Sequence, residues 1–164
     1  MSQLNSSSMA PPAKNSNTAG IVHGGPAQIY LAKVPANTDI TKFTGYEPNA
    51  NWFKIVSFAQ KNDTAWVTLD ATEVKFTIPK KTPPGLYLLR IEAFWPNYQV
   101  DGTQWYVNCA QVDIVGSGGG TPSGFAKFPG SYKIDGPGIL VSNDQYQSKN
   151  LKKYVAPGPA VWTG

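Results

Sequence analysis

His23, Gln104, Tyr106 and Cys109 are the side chains of this sequence whose types and spacing could do chemistry. His23 is the sole histidine and sits in "GIVHGGPAQIYL", where small residues and Pro26 would hold its ring on a stiff turn. Such a ring could be a ligand, and the ordinary alternative is a solvent-exposed loop histidine. Gln104 and Tyr106 stand two apart in "GTQWYVNCAQVDIV". Strand alternation puts an amide and a phenol at that spacing on one face. They could serve a metal from the side, or satisfy each other at a sheet rim. Cys109 lies in the same run and is the only cysteine.

Other chemistries fit poorly. No G-x-S-x-G surrounds any serine, and a Ser-His-Asp triad would have to use His23. Zinc would have only His23 and Cys109 to draw on, too few for its usual sites. "GSGGGTPSG" lacks the G-K-[ST] ending of a phosphate loop and reads as a flexible connection. Paired carboxylates for glycoside hydrolysis stay open, although the acids are few and sit mostly beside turns. Arg90 is the only arginine and the lysines are scattered, so the net charge of +4 speaks for solubility and against nucleic-acid recognition. No apolar run is long enough to span a membrane.

The elements that must position these residues are strands. Charged residues are only 15%, while the 164 residues include 16 glycines and 14 prolines, the balance of a loop-rich all-β domain. The runs "AQIYLAKV", "WFKIVSF", "TAWVTL", "EVKFTI", "GLYLLRIEAF" and residues 102–115 are bounded by turn formers such as "KKTPPG". Together they predict an antiparallel sandwich. On the last strand Trp105, Val107 and Cys109 share one face, which predicts a cysteine buried in the core. Gln104, Tyr106, Asn108, Ala110, Val112 and Ile114 share the other. Residues 1–20 are polar and aperiodic and predict a disordered or poorly packed lead-in.

The pieces "HGGPAQIYLAKV", "WFKI", "FTIPKKTPPGLYLLRIEA", "TQWYVNCAQVDIV", "PSGFAKFPGSY", "PGILV" and "VAPGPAVWTG" occur in this order. In that order they resemble the C-terminal part of a fungal lytic polysaccharide monooxygenase of auxiliary activity family 9, formerly glycoside hydrolase family 61, over residues 20–164. The resemblance implies an immunoglobulin-like β-sandwich with long loops, lacking its N-terminal strands. It implies a secreted, monomeric, copper-dependent oxidase of cellulose or related β-glucans, fed by an external electron donor. Within it, His23 of the H-x-G-P turn is a copper ligand and Tyr106 the axial group. Gln104 is a donor that positions an oxygen species. Tyr154 is a surface tyrosine stacking on a sugar ring, and Trp162 is a packing residue. Cys109 is half of a disulfide in the full-length relatives and a free thiol here.

The resemblance also has departures. The family's N-terminal histidine has no counterpart at Met1, and the partner of Cys109 is lacking. The segment "AFWPNYQVDG" holds no histidine where the family has one, and Trp95, Asn97 or Tyr98 would fill that space. The chain by itself is therefore expected not to turn over. The alternative reading is a non-catalytic polysaccharide-binding sandwich, or an inactive fragment.

Overall fold

A computed structural model describes residue 21 and residues 23–164; the expected lead-in at residues 1–20 lies outside the described residues. The strands are β1 (Ala27–Lys33), β2 (Trp52–Phe58), β3 (Gln60–Asn62), β4 (Ala65–Trp66), β5 (Gly85–Trp95), β6 (Gln104–Ile114) and β7 (Phe125–Ala126). One short helix, α1, covers Asn143–Tyr146, with Ser142 and Gln145 forming a reciprocal capping box. The main sheet has five strands in the order β6-β5-β1-β2-β7, and β3 and β4 form a separate hairpin. The strand pairs are antiparallel.

The architecture is the all-β sandwich expected, with one full sheet as a layer. Alternation along β1 explains its two cores. Ile29 and Leu31 face one way and pack with Phe53, Ile55, Tyr87, Leu89 and Ile114. Tyr30 and Ala32 face the other and pack with Phe43, Trp52, Leu88 and Phe128. Because both faces are covered, β1 is buried along nearly all its length, which accounts for its near-continuous apolar sequence.

The segment "EVKFTI" differs from expectation. It forms no strand, yet Val74, Phe76 and Ile78 pack against the first core. Its alternation of apolar and polar residues matches this inward packing, but among the described residues no neighbouring strand pairs with it. "TAWVTL" likewise contributes only the two residues of β4. The glycine-rich stretch after β6 is not a loose connection. A Cβ on Gly118 would lie 2.0 Å from the Thr82 carbonyl oxygen, and the Gly120 amide donates to the Lys81 carbonyl at 2.8 Å. Trp162 packs edge-on against Phe53 with centroids 5.3 Å apart, as its predicted packing role requires.

The Tyr30 face also holds a buried polar network. Glu92 is fully buried and accepts hydrogen bonds from Gln28 Nε2, the Tyr132 hydroxyl and Arg90. Arg90 Nη2 lies 3.0 Å from Glu92 Oε2, and its guanidinium stacks 4.4 Å from the Phe128 ring centroid. A buried carboxylate is tolerable only when paired and hydrogen-bonded in this way.

Candidate functional site

The His23 turn is fixed on both sides, to the segment 68–71 and to the end of β5. Before it, the Asp70 amide donates to the Ile21 carbonyl at 2.9 Å and the Ile21 amide to Ala71 at 3.0 Å. After it, Thr68 Oγ1 donates to the Gly25 carbonyl and accepts from the Gly25 amide. The Phe94 amide donates to the Pro26 carbonyl at 3.2 Å, tying the turn to the end of β5. Gly25 is there because nothing larger fits. A Cβ on it would lie 1.8 Å from the Phe94 carbonyl oxygen.

This docking places the imidazole over the end of the sheet. The His23 ring stacks on Trp95 with centroids 4.3 Å apart and planes 8° apart. It also lies 6.3 Å from the Tyr106 ring at 15°. β5 and β6 supply the other groups in register, Trp95 opposite Gln104 and Ala93 opposite Tyr106. Tyr106 donates its phenolic hydrogen to Gln104 Oε1 at 2.8 Å, and both residues are exposed. The structure thus brings His23, Gln104 and Tyr106 together at one sheet end.

Two expected site residues are corrected. Tyr154 is not a surface platform. It is 6% exposed, packs edge-on against Trp66 at 4.8 Å and donates its hydroxyl to the Gly138 carbonyl at 2.9 Å. A turn from Leu151 to Tyr154 sends both side chains inward into one core, and burial raises the phenol above its ordinary pKa. Cys109 is not a core residue. It shares its side with Trp105 and Val107, but β6 is the outer strand of the sheet and all three are exposed. Its thiol is still partly covered beside Arg90, and that desolvation holds it above the ordinary thiol pKa.

Sequence reasoning missed the props of the site. Trp95 was one of three candidates for a vacant space, but its stacking on His23 was not foreseen. Thr68 was not singled out at all, since its partner Gly25 is 43 positions away. Trp95 in turn stacks on Tyr146 of α1 at 5.0 Å and 19°, and Tyr146 meets the exposed ring of Tyr98 at 5.0 Å.

As a metal centre the cluster offers one imidazole and one phenol. Imidazole nitrogen suits copper. No group of three or more His, Cys, Asp or Glu side chains gathers among the described residues. His23 and Tyr106 therefore fit one side of a copper site rather than a full coordination shell. A cleft of about 400 Å³ opens elsewhere, lined in part by Arg90, Trp105, Val107, Phe128 and Tyr132. It lies on the opposite face of β6 and includes none of His23, Gln104 and Tyr106.

Comparison with known proteins gives this arrangement its context. The family model of Auxiliary Activity family 9 (formerly GH61) matches residues 7–154. The AA9 family lytic polysaccharide monooxygenase U of Thermothielavioides terrestris is 48% identical over 150 residues, covering 87% of this chain and 56% of that protein. Monooxygenase A of Aspergillus fumigatus is 40% identical, covering 89% of this chain and 50% of that protein. Among solved structures, the crystal structure of HiLPMO9B aligns with a TM-score of 0.74 at 28% identity, over 88% of this chain and 65% of that one. The extended catalytic domain of H. jecorina LPMO9A aligns at 0.69 and 27% identity, over 87% of this chain and 57% of that one. The chain thus spans about half the length of the curated relatives it matches. The sequence match over most of its residues and the shared sandwich lead to one conclusion: this chain belongs to auxiliary activity family 9.

Proposed function

We propose that residues 21–164 are the C-terminal part of a lytic polysaccharide monooxygenase domain, carrying the His23–Tyr106 side of a copper site. Its substrate is cellulose or a related β-glucan, and its electrons come from an external donor. Copper, when bound, supplies the oxidation of a glycosidic C–H position. The residues of this chain do the positioning. His23 offers an imidazole nitrogen from a turn that is bonded on both sides. Tyr106 stands beside that ring with its phenol held by Gln104. Because Gln104 Oε1 accepts from Tyr106, its amide N–H groups remain to donate toward an oxygen species. The domain acts as a secreted monomer; no helix among the described residues is long and apolar enough to cross a membrane.

The observation that carries this reading is the convergence of His23, Gln104 and Tyr106 from a turn and a strand far apart in sequence. With Tyr154 buried, the sugar-facing aromatic surface falls to exposed rings near the site. Tyr98, 45% exposed and joined to the site through Tyr146 and Trp95, is the candidate, since an aromatic face packs on pyranose C–H groups. The alternative of a non-catalytic binder loses the side chain on which it rested.

Calorimetric titration with Cu(II) tests the proposal. The chain binds copper, and His23→Ala weakens binding by at least about tenfold, since the imidazole is the ligand this chain supplies. Equal affinity in the two proteins would overturn it. Activity is read separately, as ascorbate- and peroxide-dependent release of oxidised oligosaccharides.

A further inference from the structure

Among the described residues, His23 has no hydrogen-bonded support of the kind a metal-binding histidine ordinarily has. Such a ring usually donates its far N–H to a carboxylate, carbonyl or water, and that bond fixes the ring plane. Here the backbone of the turn is fixed through Ile21, Gly25 and Pro26. Among the described residues, however, the imidazole itself makes no hydrogen bond or ion pair. What constrains its plane is a stack. The Trp95 indole lies 4.3 Å away and within 8° of parallel.

The indole is itself held from several directions. Trp95 is the last residue of β5, paired in register with Gln104 of β6. Buried Pro96 follows it and fixes the course of the chain. Its ring also stacks on Tyr146 at 5.0 Å, and Tyr146 packs against the core formed by Trp66, Leu151 and Tyr154. The stack therefore runs from that core, through Tyr146 and Trp95, to His23.

We propose that Trp95 is a positioning residue whose indole sets the imidazole plane of His23, in place of the usual hydrogen bond to the far ring nitrogen. The proposal rests on the copper reading for its purpose, but the ring geometry can be tested without metal. Trp95 touches neither substrate nor metal in this scheme and acts only through His23. A flat aromatic at position 95 can do the same work, and a flexible apolar side chain of similar reach cannot.

The experiment uses the full chain in wild-type form and as Trp95→Phe, Trp95→Leu and Trp95→Met. NMR of the metal-free proteins reads the His23 ring protons in two ways: by their upfield shift over the indole face, and by their NOEs to the Tyr106 ring, whose centroid lies 6.3 Å from the imidazole's. Wild type shows both, Trp95→Phe keeps the NOEs, and Trp95→Leu and Trp95→Met lose the NOEs as the imidazole leaves its plane. Loss of the upfield shift alone follows from removing the indole and decides nothing. Cu(II) titration of the same proteins shows affinity near wild type for Trp95→Phe. It falls by about tenfold or more for the aliphatic variants, the usual penalty for losing a residue that orients a ligand. Near-UV circular dichroism identifies the variants that remain folded, and Trp95→Met stands in if Trp95→Leu does not fold. Unchanged His23–Tyr106 NOEs in a folded aliphatic variant, or no upfield shift in wild type, overturn the proposal, whatever copper does. Unchanged copper affinity in a folded variant that has lost the NOEs also overturns it. If the wild-type chain binds no copper, the copper reading fails, while the NOEs still decide whether Trp95 sets the His23 plane.

Discussion

Tyr106 donates its hydroxyl hydrogen to Gln104 Oε1 at 2.8 Å, joining two exposed side chains on one face of β6. An exposed bond of this kind exchanges with water and adds little to folding. Gln104→Ala and Tyr106→Phe are therefore expected to shift stability by less than about 0.5 kcal/mol each. Urea unfolding of both variants and the double variant checks this. A larger loss would mean that the pair is structural. A neutral result means that any functional defect in these variants arises in the chemistry of the site.

Gly25→Ala should act in the opposite way. The added Cβ would lie 1.8 Å from the Phe94 carbonyl oxygen, and backbone cannot swing aside as a flexible side chain can. Overpacking of this sort costs roughly 1–3 kcal/mol. The turn must lift from β5, and His23 leaves Trp95 with it. The expected outcome is a lower urea midpoint together with loss of the upfield shift of the His23 ring protons. A variant as stable as wild type would show that the turn is not seated as described.

Strand period was the legible part of this sequence. β1, β2 and β6 lie within runs marked by alternation and β-branched or aromatic residues, and β5 outruns its own by one residue, Trp95. Even in "EVKFTI" the inward positions Val74, Phe76 and Ile78 were readable, although the absence of a pairing partner was not. His23, Gln104 and Tyr106 were legible because a motif and a two-residue spacing carry them. Cys109 was misread because alternation says which residues share a side, and only the neighbouring layer decides whether that side is buried. Tyr154 was misread for a related reason. Its direction depends on a local turn and on Trp66, nearly ninety positions earlier, which no local pattern records. Trp95 stacks on His23 only after a turn and a strand end meet.

Tyr154 now makes a prediction about stability rather than about sugar. Tyr154→Phe removes the hydrogen bond to the Gly138 carbonyl and leaves that buried oxygen without it, at a cost of about 1–3 kcal/mol. Tyr154→Ala also empties the space beside Trp66 and should cost about 3–5 kcal/mol. Folded Tyr154→Leu, which has no ring to stack on a sugar, should bind cellulose as wild type does in a pull-down. Loss of cellulose binding by the folded fraction of that variant would restore the surface role.

The alkaline limb of the stability curve should carry the signature of Lys54. Its side chain is buried, donates from Nζ to the Pro157 carbonyl at 2.6 Å and lies 5.7 Å from the Tyr30 ring centroid. Desolvation lowers its pKa from 10.5 to about 8, with the Glu92 charge opposing the shift. Below about pH 8 the folded and unfolded chains both hold this proton, and folding bears the full cost of burying the charge. Between 8 and 10.5 the unfolded chain binds more protons than the folded one, so stability rises with pH. The tyrosines then act with opposite sign. Burial pushes Tyr87 from 10.0 up to about 12 and also raises Tyr30, Tyr132 and Tyr154. Above pH 10 the unfolded chain loses these protons first, and stability falls. Urea midpoints measured from pH 7 to 11 should therefore climb from about 8 and turn over beyond 10. Lys54→Met keeps most of the buried stem and removes the charge, so the climb should flatten while the tyrosine limb stays. The same climb in Lys54→Met would assign it to another group.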